Sequence, residues 1–296
     1  MRLLISGWQG QVARSLGEVA TQRADVTAVA IGRPALDLVK LPTILRTLAD
    51  SKPDIVINTA AYTAVDKAES EPDAAIALNR DGARLIAKAA AERGIPIIHL
   101  STDYVFDGRK ATAYVETDPT APQSVYGRSK LEGEDAVRSG NPQHIIVRTA
   151  WVHSPFGQNF VKTMLRLAAD RPVIKVVADQ TGSPTYAPHL ATALLDLASA
   201  IMRNGGGNRW GTYHLAGGGA ASWCDLAREV FRVSAAAAGP KADVVPITTA
   251  EYPTPAVRPA NSLLDCRKAK AEFDVALPDW QSGVEACVHR VLKNAA

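Results

Sequence analysis

The chain has 296 residues, of which 47% are hydrophobic and 21% are charged, and its formal net charge is +3. This length suffices for one large domain or two closely packed ones with a sizeable core. The small net charge, without a cluster of Lys and Arg, argues against a nucleic-acid partner or an anionic membrane surface. Cys224, Cys266 and Cys287 are too few and too scattered for a disulfide framework, which predicts free thiols in a reducing compartment.

The sequence predicts neither export nor a membrane anchor. Three apolar residues separate Arg2 from Ser6, which is too short for the apolar core of a signal peptide. The longest apolar-rich stretch, residues 190–202, is interrupted by Asp196 and is shorter than a membrane span. We therefore expect a soluble protein in the cytoplasm.

Short apolar runs alternate with helical patterns through the first half of the chain. Strands are predicted at residues 2–6, 26–31, 54–59, 96–101 and 144–149. These runs of Val, Ile and Leu are typical of parallel strands that are covered on both faces. A helix is predicted over residues 71–93, ending before Gly94. Repeated βαβ units predict an α/β fold with a doubly wound parallel sheet of the Rossmann type.

After about residue 151 the alternation becomes irregular. Strands are predicted at 173–178, 213–215 and 244–247, helices at 188–202, 222–236 and 281–293, and turns or irregular chain at 204–208 and 246–259. We therefore predict a Rossmann domain at residues 1–150 and a smaller C-terminal lobe at 151–296. Some segments of the lobe are expected to return to the Rossmann sheet.

A glycine-rich turn follows the first predicted strand and opens a helix. Gly7 and Gly10 begin a G-x-x-G-x-x-A string that continues through Gln11 and Val12 to Ala13. Glycines let the backbone approach a pyrophosphate, and the helix N-terminus adds free N–H groups and a positive dipole end. A plain glycine turn has the same spacing, but the position at the first βα junction predicts an NAD(P) site.

The end of the second strand indicates which dinucleotide is preferred. An acidic residue there would hold the ribose 2′-hydroxyl of NAD, but this chain has Arg33, which can pair with a 2′-phosphate. NADPH is therefore the preferred cofactor and NADH the alternative, with a solvated turn as the other interpretation of Arg33. Asp37 and Leu38 are predicted to line the adenine or its ribose. Further cofactor contacts are predicted after the third strand, at Ala60, Ala61, Tyr62 and Thr63.

Three residues in the middle of the chain predict a catalytic centre. Tyr126 and Lys130 are four residues apart and share one face of a helix. A free tyrosine ionises at about pH 10, and a nearby ammonium is expected to lower that pKa toward the range useful for acid catalysis. Thr102 ends the fourth strand, where its hydroxyl can bind the same carbonyl oxygen. A solvated Tyr–Lys pair is the plainer interpretation, which the preceding dinucleotide fold disfavours.

Several segments of the chain resemble those of a known family. They are the turn at 7–12 and residues 58–69, 101–108, 126–134, 179–185 and 258–262, with 62–69 and 179–185 the most specific. In these segments, spread over residues 3–265, the chain resembles the dTDP-4-dehydrorhamnose reductases of the extended short-chain dehydrogenase/reductase superfamily. The resemblance implies NAD(P)H-dependent reduction of the C4 ketone of dTDP-4-dehydro-6-deoxy-L-mannose to give dTDP-L-rhamnose.

The resemblance also implies roles for single residues. Tyr126 would protonate the developing C4 alkoxide, Lys130 would tune Tyr126 and bind the nicotinamide ribose, and Thr102 would position the carbonyl. The residues implied to contact the dTDP-linked 4-keto-6-deoxy sugar are Val65, Thr102, Asp103, Tyr104, Tyr126, Trp151, Asn159, Gln180, Thr181 and Arg258, the last as a diphosphate partner. Core packing for Trp151, loop or cap roles for Asn159 and Gln180, and a surface position for Arg258 are the plainer interpretations.

The expected assembly is a homodimer, which the resemblance implies. Some members of the family dimerise around a divalent metal held by glutamates, but this chain has Arg14 and Ser15 on the first helix where such a glutamate is expected. Its six histidines show no metal-ligand spacing. We therefore predict no metal site.

Other functions compete with a reductase of this sugar. A 4,6-dehydratase carries a second carboxylate after Thr102-Asp103, where this chain has Tyr104, so elimination would lack its base. A C4 epimerase uses the same Tyr–Lys pair but retains its cofactor, and a reductase of another 4-keto-sugar needs the same residues. A non-catalytic NADP-binding regulatory subunit has no need of the complete set of Thr102, Tyr126 and Lys130. The sequence does not fix the stereochemistry at C4.

Overall fold

A computed structural model describes residues 1–294 of the chain. Its strands are β1 (Arg2–Ser6), β2 (Thr27–Ile31), β3 (Ile55–Asn58), β4 (Ile97–Thr102), β5 (His144–Thr149), β6 (Val152–His153), β7 (Val173–Val177), β8 (Thr181–Gly182), β9 (Thr185–Tyr186), β10 (Gly211–His214), β11 (Ala221–Ser222), β12 (Asp243–Ile247) and β13 (Asn261–Ser262). Its α-helices are α1 (Gln11–Ala20), α2 (Leu41–Ser51), α3 (Val65–Ser70), α4 (Pro72–Ile76), α5 (Ala83–Ala91), α6 (Val125–Gly140), α7 (Phe160–Ala168), α8 (Ala187–Asn204), α9 (Trp223–Ala236), α10 (Arg267–Phe273) and α11 (Trp280–Lys293).

Six strands form one parallel sheet in the order β2-β1-β3-β4-β5-β10. The chain passes from β1 to β2 on one side and then to β3 on the other side of β1. The carboxyl ends of β1 and β3 therefore flank a topological switch point, which is where open α/β sheets bind ligands. The predicted Rossmann-type α/β fold is confirmed.

The sheet is covered on both faces, which explains why its strands are continuous apolar runs. Leu3 and Ile5 of β1 belong to a hydrophobic cluster with α1, α8 and α10, whereas Leu4 belongs to a second cluster with α2, α5 and α6. Successive side chains of a strand point to opposite faces, so most positions of the covered strands are apolar, and buried polar residues such as Ser6, Asn58 and His99 are exceptions.

A third hydrophobic cluster lies in the C-terminal half. It is built from α7, α9 and α11 and from the two parallel strands β7 and β12. Three elements of this half belong to the Rossmann layer instead, because β10 pairs with β5, α8 packs on α1 and α10 packs on β10. Among the described residues 1–294, we find no helix with the length and apolar character needed to span a bilayer.

The predicted helix at 71–93 is interrupted. Residues Ala77–Gly82 form a π-helical turn between α4 and α5. The wider turn contains the buried Asn79, which accepts a hydrogen bond from Tyr62 N (2.7 Å) and donates one to Ser129 Oγ (2.9 Å). The apolar periodicity of the sequence identifies the buried face of a helix but does not reveal a π-helical turn within it. Such turns are frequent at functional sites.

Candidate functional site

A cavity of about 510 Å³ opens at the carboxyl ends of β1, β3, β4 and β5. Many of the predicted site residues line it, namely Gly10, Gln11, Val12, Ala61, Thr63, Val65, Thr102, Asp103, Tyr104, Tyr126, Lys130 and Trp151. The structure therefore brings the predicted cofactor turn and the predicted catalytic centre into one space.

The glycine-rich turn has the geometry that a pyrophosphate needs. Gly7 has a φ of +93°, a conformation that favours glycine, and its N–H donates to Ile31 O (2.7 Å). Gly10 is the N-cap of α1, whose first N–H groups donate no hydrogen bond to a capping side chain. A Cβ atom at Gly10 would meet nothing within 4 Å, so the approach to these N–H groups is open. The turn fits a bound dinucleotide.

A buried hydroxyl in the cavity also fits a polar ligand. Thr149 is the register partner of Thr102 on the neighbouring strand, and both residues line the cavity. Thr149 Oγ1 is buried and has no hydrogen-bond partner among the residues that the structure describes. Because buried hydroxyls in proteins are normally paired, a polar group of a bound molecule is the expected partner.

Tyr126 lies in the first turn of α6, where a glycine sets its distance from β4. A Cβ atom at Gly127 would lie 2.3 Å from Tyr104 O, so only glycine lets α6 come this close. Ser124 caps the helix by accepting a hydrogen bond from Gly127 N (3.1 Å). The ring of Tyr104 meets the ring of Tyr126 edge-on, with 5.5 Å between centroids.

The protonation of Tyr126 differs from the sequence prediction. Burial raises the pKa of its phenol, and the hydrogen bond with Thr102 offsets part of this rise. We expected the Lys130 ammonium to lower this pKa, but Lys130 Nζ donates instead to Leu100 O (2.6 Å). The phenol is therefore protonated at neutral pH, which is the form that can donate a proton to a substrate.

Two other titratable groups in the cavity are shifted by burial. Burial lowers the pKa of Lys130 to about 8, with an opposing effect from the Glu134 carboxylate. Burial raises the pKa of Asp103 to about 6, although Thr102 Oγ1 (3.0 Å) and Ser262 Oγ (2.6 Å) donate hydrogen bonds to it. Strong shifts of this kind, gathered in one cleft, are typical of a functional site.

Arg258 lies behind the cavity. It donates to Tyr104 Oη (3.0 Å) and pairs with Asp66 Oδ2 (2.6 Å). The expected diphosphate partner is thus engaged by the protein in this structure, where it holds Tyr104 in place.

Trp151 lines the cavity through a stacked pair of indoles. It lies 3.5 Å from Trp223 between ring centroids, with planes 7° apart. Trp223 Nε1 in turn donates to Gln180 Oε1 (3.1 Å). Gln180 is therefore outside the cavity lining and orients the second indole, while its neighbour Thr181 pairs with β11 and β13.

Asn159 is likewise outside the cavity lining. Its Oδ1 caps α7 by accepting from Lys162 N (3.1 Å), and its Nδ2 donates to Gln11 Oε1 (2.9 Å). Ser154 Oγ donates to the same oxygen (2.8 Å). The implied substrate contact is thus a helix cap that ties the segment before α7 to the cofactor turn.

The remaining predicted residues surround the cavity at a distance. Arg33 is exposed beyond β2, Asp37 is half-buried, and Leu38 is buried in a hydrophobic cluster where it packs against Gly82. The side chain of Leu38 belongs to the core, and its contact with the adenine or its ribose stays a prediction. Ala60 packs on the same cluster, and Tyr62 Oη donates to Glu71 (2.6 Å).

Sequence reasoning missed part of the lining. These residues are Gln9, Ala13, Thr59, Leu100, Ser101, Thr149, Ala150, Val152, Gly157 and Gln158. Thr59 and Thr149 stand at or next to the ends of predicted strands, and that position alone could have identified them. Gly157 and Gln158 reach the cavity through a loop whose path depends on the tertiary structure.

The comparisons with known proteins agree on one family. A family model described as RmlD substrate binding domain matches residues 1–293. A dTDP-4-dehydrorhamnose reductase of Sinorhizobium fredii is 50% identical over 292 residues, 99% of this chain and 98% of the relative. The solved dTDP-4-dehydrorhamnose reductase of Clostridium acetobutylicum has a TM-score of 0.90 at 36% identity, covering 99% of this chain and 100% of that one. That of Bacillus anthracis, in complex with NADP, has a TM-score of 0.88 at 35% identity, covering 97% and 98%. The chain therefore belongs to the RmlD substrate-binding-domain family, which confirms the resemblance of its motifs.

Proposed function

We propose that the protein is a dTDP-4-dehydrorhamnose reductase, which reduces dTDP-4-dehydro-6-deoxy-L-mannose to dTDP-L-rhamnose with NADPH. One observation carries the proposal. The complete set of Thr102, Tyr126 and Lys130 lines the cavity of a chain that is 50% identical, over 99% of its length, to a relative of that name. A dehydratase is disfavoured because Tyr104, bound by Arg258, stands where the second carboxylate is needed.

The switch point of the sheet would hold the cofactor. Gly7, Gly10 and the free N–H groups of α1 would bind its pyrophosphate, and the exposed Arg33 would pair with the 2′-phosphate. When bound, the dinucleotide supplies the hydride for the reduction. The NADP bound by the Bacillus anthracis relative supports this choice of cofactor.

The chain supplies the proton and the alignment. Tyr126, protonated because it is buried, donates its phenolic proton to the C4 oxygen, while the Thr102 hydroxyl holds the same oxygen. Lys130 would orient the nicotinamide ribose. Val65, Asp103, Tyr104 and Trp151 surround the sugar. Arg258 holds Tyr104, and Gln180 binds the Trp223 indole that stacks on Trp151. Asn159 and Thr181 remain proposed substrate contacts on the family resemblance.

We also propose that residues 1–150 form the NAD(P)-binding domain and residues 151–296 mainly the substrate-binding lobe. The separate hydrophobic cluster of α7, α9 and α11 supports this division, while α8 and β10 return to the Rossmann layer. A cytoplasmic homodimer is proposed on the family resemblance.

The test is NADPH oxidation, followed by absorbance, with freshly prepared dTDP-4-dehydro-6-deoxy-L-mannose, and NMR of the product. The proposal expects stoichiometric oxidation and dTDP-L-rhamnose. Oxidation that yields the C4 epimer would assign a different reductase. Conversion of a nucleotide sugar without net oxidation would assign an epimerase, and cofactor binding without any turnover would favour the regulatory subunit.

A further inference from the structure

A chain of buried polar side chains lies behind Lys130, and the proposed reaction does not use it. Ser6 of β1, Asn58 of β3 and His99 of β4 are adjacent across the sheet, and each is at most 1% exposed. His99 Nε2 lies 3.5 Å from Lys130 Nζ. The chain therefore connects the end of β1, directly before the cofactor turn, with Lys130.

The hydrogen bonds fix the orientation of Asn58. Ser6 Oγ accepts hydrogen bonds from Thr59 N (3.2 Å) and Ala60 N (3.4 Å), which leaves its own proton to be donated. That proton goes to Asn58 Oδ1. Asn58 Nδ2 is then the donor that faces His99 Nδ1 at 2.9 Å.

The orientation of Asn58 determines the tautomer of His99. Since Nδ1 accepts the proton of Asn58, the neutral ring carries its own proton on Nε2. Burial and the nearby Lys130 ammonium both lower the pKa of His99, so the ring is neutral at neutral pH. Lys130 therefore faces an N–H group.

An N–H group and an ammonium cannot form a hydrogen bond, whereas a neutral amine can accept one from His99. The groups that favour the ammonium are Leu100 O, which accepts from Lys130 Nζ, and the Glu134 carboxylate on α6. Glu134 is itself paired with Arg148 of β5 and Arg138 of α6, which weakens its influence on Lys130. The other hydrogen-bond partner of His99 is neutral, because Asn58 carries no charge.

We propose that His99 is a positioning residue that controls the protonation of Lys130, because Ser6 and Asn58 hold it in the tautomer that disfavours the ammonium. The N–H of His99 and the burial of Lys130 both favour the neutral amine of Lys130 over its ammonium form. The consequence of this proposal for catalysis rests on the proposed reductase function, in which Lys130 must be charged to orient the cofactor. The loss of activity at alkaline pH then results from the deprotonation of Lys130, and His99 determines the pH at which this loss occurs.

The decisive measurement is a pH titration of the whole protein labelled with ¹³C at the lysine ε-carbon, followed by NMR. Lys130 is expected to titrate at about pH 8, apart from exposed lysines at about pH 10, and Lys130→Met assigns its signal. His99→Asn keeps an acceptor for Asn58 Nδ2 and removes the N–H that faces Lys130. It is expected to raise the pKa of Lys130 by about one unit.

The matched control is His153→Asn, since His153 is also buried but lies on β6 against Tyr186. It should leave the Lys130 signal in place. A second variant, Asn58→Leu, keeps the histidine and frees His99 to accept from Lys130 through Nε2, so the pKa of Lys130 should rise again. If Lys130 titrates unchanged in either folded variant of the chain, the proposal is wrong.

A parallel pH profile of kcat separates this proposal from the assignment of function. The alkaline limb should move upward in His99→Asn by the same amount as the Lys130 signal, and not in His153→Asn. If the pKa of Lys130 rises in His99→Asn but the wild type turns over no sugar substrate, the reductase function is wrong and the assignment of His99 still holds. If the alkaline limb of kcat stays in place while the pKa of Lys130 measured by NMR moves, the link between Lys130 and catalysis is wrong.

Discussion

The proton that the proposed reaction consumes is carried by Tyr126, whose burial keeps the phenol protonated. Tyr126→Phe removes that proton and leaves the ring packing intact. We expect kcat to fall by at least about 100-fold, because a positioned general acid contributes that much or more. NADPH affinity, measured by fluorescence titration, should change little.

Tyr104→Phe is the matched control for this experiment. Tyr104 lines the same cavity and stacks edge-on against Tyr126, but its hydroxyl is bound by Arg258. Its loss is expected to raise KM more than it lowers kcat. Equal losses of kcat in the two variants would contradict the assignment of Tyr126 as the proton donor.

Asp103 is expected to make the stability depend on pH. Burial raises its pKa from an unfolded value of 3.8 to about 6, so the native state holds this proton more tightly than the unfolded chain does. The resulting stabilisation is complete below the unfolded pKa and is lost as the pH rises through the folded pKa. This pKa difference of about two between the folded and the unfolded chain corresponds to about 3 kcal/mol in the free energy of unfolding.

Asp103→Asn removes this dependence while keeping the size of the side chain and one of its two acceptor oxygens. Urea unfolding at about pH 4 and about pH 8 should show the variant gaining stability over the wild type at the higher pH only. A difference between the two proteins that is the same at both pH values would mean that Asp103 is not the group responsible.

Arg33 is expected to decide the preference between the two cofactors. Its side chain is exposed beyond the end of β2, where a 2′-phosphate can pair with it. Arg33→Ala should weaken NADPH binding by about tenfold, since charge-assisted hydrogen bonds contribute about 1.5–3 kcal/mol each, and should leave NADH nearly unchanged. Binding titrations with both cofactors test this, and an equal effect on both would remove the 2′-phosphate pairing.

At the scale of elements, the short strand β8 shapes the sugar side of the cavity. A Cβ atom at Gly182 would lie 2.4 Å from Trp151 Cε2, so only glycine lets the indole stack between β8 and Trp223. Gly182→Ala should displace Trp151 and cost about 1–3 kcal/mol in the free energy of unfolding, with a raised KM for the sugar substrate. Urea unfolding and steady-state kinetics measure both effects.

Gly17→Ala is the control for that substitution. Gly17 lies in α1, and a Cβ atom there would meet nothing within 4 Å. This variant should be neutral or slightly stabilised, because alanine has the higher helix propensity. If Gly182→Ala behaves in the same way, the close packing of Trp151 on β8 is not required.

At the scale of the whole molecule, Gln11 joins the cofactor turn to the chain that enters α7. Its side chain accepts from Ser154 and Asn159 and donates to Val152 O (3.3 Å). Gln11→Leu should lower the free energy of unfolding by about 1–3 kcal/mol and weaken NADPH binding, because buried polar groups lose their partners. The exposed Gln22→Leu, shortly after α1, is the control, and equal losses in the two variants would argue against this connection.

The sequence by itself determined the order of strands and helices in the Rossmann layer. Strands covered on both faces are apolar at most positions, and this pattern is local, so β1, β3, β4 and β5 were predicted to within one or two residues. The glycine turn and the Tyr126–Lys130 spacing are equally local. They identified the two halves of the cavity because chemistry at these points needs fixed residue types at fixed spacing.

Only the tertiary structure decided what surrounds those residues. Arg258 and Asp66 are 192 residues apart, and Gln11 and Asn159 are 148 apart, so no local pattern could pair them. The direction of Lys130, toward Leu100 O and His99, also depends on how α6 packs on β4. The raised pKa of Tyr126 could not be predicted from the sequence either. It results from desolvation, which depends on how the whole cavity is packed and not on the neighbours of Tyr126 along the chain.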